Sequence, residues 1–63
     1  MIWYYEPLKP EENKWVVVKD ENGKEYPFHQ WNGYCWYAYF KDKKCGCYDG
    51  WRTDVDVVSW RYQ

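Results

Sequence analysis

Two short polar breaks divide the middle of the chain into three runs with strand character. Asn22-Gly23 separates Lys14–Asp20 from Lys24–Gln30, and Asn32-Gly33 separates that second run from Tyr34–Phe40. Asn-Gly accepts positive φ at both central positions of a type I′ turn, so each break between β-rich runs reads as a hairpin. The first run holds Trp15-Val16-Val17-Val18, and the third alternates aromatic residues through Tyr34-Cys35-Trp36-Tyr37-Ala38-Tyr39-Phe40. Both compositions suit a pleated, half-buried surface. A three-stranded antiparallel meander is therefore predicted. Pro27 falls inside its middle strand, where a missing N–H calls for a bulge or bend.

Outside the meander the pattern predicts less. A closing strand is read over Val55–Tyr62, after the polar, glycine-containing stretch Lys41–Asp54, and residues 2–5 add a short edge strand. Pro7 and Pro10 break up the segment between them. No window holds a 3.6-residue apolar period, so little or no helix is expected. The fold class is mostly β: one small domain over residues 1–63, an antiparallel meander or curled sheet with two Asn-Gly hairpins.

Alternation places Tyr34, Trp36, Ala38 and Phe40 on one face of the third strand and Cys35, Tyr37 and Tyr39 on the other. Both faces are apolar or aromatic, whereas a sheet backed by solvent needs only one such face. Either the strand is buried on both sides, or one face meets a ligand or another subunit. A homo-oligomer is the expected assembly, since so small a chain gains stability by burying such a surface against its own copy.

Composition sharpens this. Aromatic residues make up 25% of the chain, with 6 Trp, 8 Tyr and 2 Phe. Each ring buries on the order of 150–250 Å², and a chain this short buries only roughly 60% of its unfolded surface. The rings exceed what the core can hold, so several are expected at the surface, where Trp and Tyr mark grooves and interfaces. The net charge of −1 provides no broad field for gripping duplex DNA or RNA. No membrane span is expected, because no stretch approaches ~20 apolar residues. Met1–Glu6 has neither a basic start nor an apolar core, so no signal peptide is expected. With 3 cysteines an odd count argues against a closed disulfide framework, and three reduced thiols in a reducing cytoplasm are expected.

Candidate chemistry is sparse. Cys45-Gly46-Cys47 with Cys35 and His29 has the ligand types of a zinc site, but one residue between the paired cysteines is not the usual spacing. No metal and no cofactor are expected. His29 lies six residues before Cys35 and reads as a hydrogen-bonded structural residue rather than a catalytic base. Asp54 and Asp56 share a face if both lie in a strand, and read as solvated carboxylates. The glycines form no phosphate-binding pattern. No catalytic set emerges, and a non-enzymatic binder is expected.

Stacking is the chemistry the residues favour. Rings hold a nucleobase at ~1–3 kcal/mol each without needing net positive charge. Trp31, Trp36 and Trp51 are the candidate stacking residues, each in or beside a turn or the doubly aromatic strand. Arg52 and Arg61 are the candidate phosphate partners. Trp60, after Val57 and Val58, is assigned to the core.

Trp3, the Pro7-Leu8-Lys9-Pro10 segment, the Val16–Val18 strand, the aromatic hairpin and the closing Val57-Val58-Ser59-Trp60 together resemble a family of short phage and prophage proteins of unassigned function. Those proteins open with a Trp, continue through an Arg-Leu-Pro turn and end in a hydrophobic strand running into His-Trp-Met-Pro. Here Pro-Leu-Lys-Pro replaces the turn, and Ser59-Trp60-Arg61-Tyr62 lacks the His and the Met-Pro. The resemblance implies a phage origin, the bacterial host cytoplasm and a counter-defence role. The function expected is sequestration of a nucleotide-derived signal. The alternatives are a protein-binding inhibitor of a host or defence enzyme and, as a third class, a carbohydrate-binding module.

Overall fold

The computed structural model describes residues 2–63 and contains six antiparallel strands: β1 (Tyr4–Tyr5), β2 (Val16–Lys19), β3 (Glu25–Trp31), β4 (Trp36–Lys41), β5 (Tyr48–Arg52) and β6 (Ser59–Tyr62). They form one sheet in the order β1-β6-β2-β3-β4-β5. β2 to β5 make a meander, and β6 returns to lie beside β2. Among the described residues there is no helix, and so none long and apolar enough to cross a membrane.

Three hairpin turns share one construction. Asp20, Asn32 and Asp42 each open a turn, and each side-chain Oδ1 accepts the backbone N–H two residues on, from Asn22, Tyr34 and Lys44 respectively, at 2.8–2.9 Å. Each turn then reverses through a glycine at positive φ: Gly23 at 83°, Gly33 at 95° and Gly46 at 71°. Asn22 and Asn32 do not adopt positive φ, so neither Asn-Gly hairpin is type I′. The side chain of the leading Asp or Asn supplies the turn instead. The third hairpin was not expected from the sequence: β5 lies inside the polar stretch Lys41–Asp54.

Pro27 sits in a bulge. The register of β2 against β3 shifts between Val16↔His29 and Val18↔Tyr26, so Pro27 and Phe28 together oppose Val17. Phe28 takes φ 58° there, an unusual conformation for an aromatic residue, which turns the strand past the missing donor.

The register sorts the side chains into two faces. On one face lie Tyr4, Val16, Val18, Tyr26, His29, Trp31, Trp36, Ala38 and Trp60. Val16, Val18, Trp36 and Trp60 are its buried centre, with Val55 and Val57 packed against them. Trp60, 2% exposed, fills the core as expected and stacks on Tyr4 with ring centroids 4.7 Å apart. Two covers close this face. Residues 53–58 cross it instead of extending the last strand, which starts only at Ser59.

The second cover is the segment 6–14, pinned by the polar tips of two core indoles and of Tyr62 at the sheet's rim. Trp36 Nε1 donates to Glu6 Oε1 at 3.0 Å, Trp60 Nε1 to the Leu8 carbonyl at 2.8 Å, and the Tyr62 hydroxyl accepts the Glu11 N–H at 3.0 Å. A buried indole N–H needs such a partner.

Cys45 and Cys47 are joined in a disulfide, Cα atoms 5.3 Å apart, and Cys35 is free and half-buried. The expectation of three reduced thiols is corrected on this point. The turn through Gly46 folds the chain back between the two cysteines, and the odd count leaves Cys35 single. The disulfide also removes the cysteine argument for a reducing compartment.

Candidate functional site

The second face of the sheet carries Lys19, Val17, Arg61, Glu25, Gln30, Tyr37, Tyr39, Lys41, Tyr48, Gly50 and Arg52. At one end Val17 is buried and the Trp3 ring lies against Lys19 and Arg61, while Lys41, Tyr48 and Arg52 at the other end are exposed. Trp15, just before β2, holds the centre of this face. Its ring meets Phe28, Tyr39 and Tyr48 with centroids 5.9, 5.3 and 5.1 Å away. Tyr37 lies beside Tyr39 at 6.3 Å.

Gly50 makes the cluster possible. Tyr39 lies directly over it, and a Cβ there would fall 2.6 Å from the ring. Phe28, Tyr39, Phe40, Lys41 and Tyr48 line a hollow of about 240 Å³ beside this cluster. Phe28 and Tyr48 remain exposed, and Lys41 Nζ stands 6.0 Å from the Tyr48 ring. The rings contact one another edge-on or tilted, the arrangements aromatic pairs prefer.

Charge separates the faces as sharply. Four cations, Lys19, Lys41, Arg52 and Arg61, stand on the strands of the open face against one acid, Glu25. Lys9–Glu6 is the only ion pair among the described residues, so none of the four is in direct ion-pair contact with a carboxylate, although Lys19 stands opposite Glu25 in the register.

A larger hollow, about 350 Å³, opens between the cover, the β3–β4 turn and residues 52–56. It is lined by Glu6, Lys9, Trp31, Trp36, Arg52, Asp54 and Asp56, among others. This hollow is the poorer place to stack an anionic ligand. Its acids outnumber its cations, Trp36 is 8% exposed with its indole N–H committed to Glu6, and Lys9 covers the Trp31 ring at 5.1 Å.

The expected site residues are thus scattered. Trp31, Trp36 and Arg52 meet at the larger hollow. Trp51 pairs with Ala38 at the edge of the closed face, 50% exposed. Arg61 lies on the open face over the Trp3 ring, 5.4 Å from its centroid. The residues missed are Trp15, Phe28, Tyr39 and Tyr48. Alternation carried the signal, since Trp15 and Val17 have opposite parity to the core residues Val16 and Val18.

His29 is buried on the closed face, 4% exposed. Its Nδ1 lies 3.0 Å from the Pro27 carbonyl and its Nε2 3.0 Å from the Thr53 hydroxyl. A carbonyl only accepts, so Nδ1 carries the proton and Nε2 accepts from Thr53. Burial holds the imidazole below its usual range, with the Pro27 bond opposing. Both nitrogens are engaged, which leaves no free base. Asp54 and Asp56 lie in the 53–58 cover, outside any strand, and both are exposed. Among the described residues no three His, Cys, Asp or Glu side chains gather as metal ligands.

No known protein family, curated protein or solved structure matches this chain, so the reading of the site rests on its chemistry.

Proposed function

We propose that this chain is a non-enzymatic binding protein that holds a nucleotide-derived ligand on the open face of its sheet. The base stacks on the Trp15–Phe28–Tyr39–Tyr48 cluster, and Lys41 answers a phosphate. The observation that carries the reading is the coincidence on one face of half-open rings and cations outside any ion-pair contact. Each stacked base contributes ~1–3 kcal/mol, and a hydrogen bond to a charged group ~1.5–3 kcal/mol. In the phage setting that the resemblance implies, the protein sequesters its ligand in the host cytoplasm and leaves it chemically unchanged. Duplex nucleic acid and membranes are not its targets.

A second reading has its own observation. β5 is an outer strand with all five residues exposed, and an open edge accepts a strand from another chain. A host or defence enzyme, or a second copy of this protein, would dock there.

The test is incubation with a panel of cyclic and linear nucleotides, followed by heat release. Recovery of the intact ligand supports sequestration, and a cleaved product marks an enzyme. Failure to bind any nucleotide, together with tight capture of a purified bacterial enzyme, moves the assignment to the second reading.

A further inference from the structure

The cations of the open face lie on both flanks of the ring cluster. On one flank Lys41 is opposite Tyr48, and Arg52 is opposite Tyr37 farther along the same strand pair. On the other, Arg61 is opposite Val17 and Lys19 is opposite Ser59. This second pair is held over one ring: Lys19 Nζ is 3.9 Å from the Trp3 centroid and the Arg61 guanidinium carbon 5.4 Å from it.

Arg61 makes little use of its donors within the protein. Nη1 reaches the Tyr62 carbonyl at 3.3 Å, and its buried Nε has no partner among the described residues. Both flanks therefore hold cations oriented by aromatic rings rather than by carboxylates.

In the sheet order Lys19 on β2 lies two inter-strand steps of ~4.8 Å from Lys41 on β4 and Arg61 on β6 lies three, so the flanks are ~10–14 Å apart across the sheet. The phosphate of a mononucleotide stacked on Trp15 reaches one flank. A chain of nucleotides reaches both. We infer that the ligand is a single-stranded oligonucleotide laid across the open face. Its bases stack on Trp15, Phe28, Tyr39 and Tyr48, and its phosphates meet Lys41 and Arg52 on one side and Lys19 and Arg61 on the other. This inference rests on the nucleotide reading of the same face. A duplex does not fit, because its bases are stacked on each other and offer no free face to a ring.

Fluorescence anisotropy with labelled deoxythymidine ligands tests this, using the mononucleotide and strands of about four and about eight nucleotides, within the range one small β domain holds. Affinity should rise at least about tenfold from the mononucleotide to the longest strand. Each phosphate contact on a single strand contributes about 0.7 to the salt slope, so contacts at all four cations give a slope near −3 and about a 50-fold loss between roughly 50 and 200 mM salt.

Lys19→Ala should weaken the long strand several-fold and leave the mononucleotide unchanged, while Trp15→Ala should weaken both. Arg61→Ala should behave as Lys19→Ala does. Because Arg61 is half-buried, Lys19→Ala carries the readout if Arg61→Ala fails to fold. The exposed Arg52→Ala variant, on the Lys41 flank, should weaken the long strand from the opposite side. A mononucleotide that binds as tightly as the long strand overturns the chain reading and leaves stacking intact. A duplex, or an acidic peptide, that competes as well as the single strand also overturns it. Absence of binding at every length overturns both this inference and the function proposed above.

Discussion

The two faces of this sheet carry similar numbers of rings and use them differently. On the closed face Trp36, Trp60 and Tyr62 direct their polar atoms into the segment 6–14, so the two buried indoles fasten the cover that buries them and the exposed Tyr62 ties down its edge. On the open face Trp15, Tyr39 and Tyr48 touch mainly one another, and the charged neighbours are cations outside any ion-pair contact. Aromatic content alone therefore says little about function. What distinguishes a structural ring from an available one is whether its polar atoms and its faces are already occupied.

The largest expected effect lies on the closed face. Trp60→Ala removes the largest fully buried side chain together with the bond to Leu8, and should destabilise the fold by about 3–5 kcal/mol. Thermal or denaturant unfolding measures it. Trp15→Ala should leave the protein folded and weaken ligand binding by ~1–3 kcal/mol, about 5- to 150-fold. A Trp15→Ala protein that unfolds as readily as Trp60→Ala would erase the distinction between the faces.

Backbone conformation sharpens the same contrast. Gly33→Val meets a positive φ of 95° and, at 3.0 Å, the Glu12 carboxylate, so a loss of about 1–3 kcal/mol is expected from denaturant midpoints. Gly50→Ala acts through packing instead. Its Cβ must displace Tyr39, which should open the ring cluster and weaken binding more than stability. Equal binding by wild type and Gly50→Ala would remove Tyr39 from the site.

The smallest effect concerns pH. Burial lowers the His29 pKa in the folded state, so the unfolded chain binds the proton more readily. The stabilisation is present above the ordinary histidine value of about 6.5 and is lost progressively as pH falls toward the folded-state value. His29→Gln should flatten that part of a stability profile followed by circular dichroism.

Much of this architecture was legible in the residues. Asn22-Gly23, Asn32-Gly33 and the Val16–Val18 run located three strands, Pro27 located the bulge, and Trp60 was assigned correctly to the core. β5 was not legible, because Tyr48-Asp49-Gly50-Trp51-Arg52 is exposed throughout and holds a glycine that usually interrupts strands. Its position depends on the Asp42 turn and on Tyr39 lying over Gly50. The candidate site was less legible. Alternation showed that Trp36 and Tyr39 lie on opposite faces, but which face would be covered depended on bonds from Trp36, Trp60 and Tyr62 to a segment broken by prolines. Proximity to turns favoured Trp31 and Trp51. Parity with Val17 would have favoured Trp15.

The central claim is that the open face binds and the closed face holds the fold together. Titration of ¹⁵N-labelled protein with a single-stranded oligonucleotide tests it most directly, because backbone and indole signals report each face separately. Shifts should concentrate at Trp15, Phe28, Tyr39, Lys41 and Tyr48 and extend to Lys19 and Arg61, while the Trp36 and Trp60 indoles stay in place. Shifts centred instead on Trp31, Asp54 and Asp56 would place binding in the larger hollow and contradict the account.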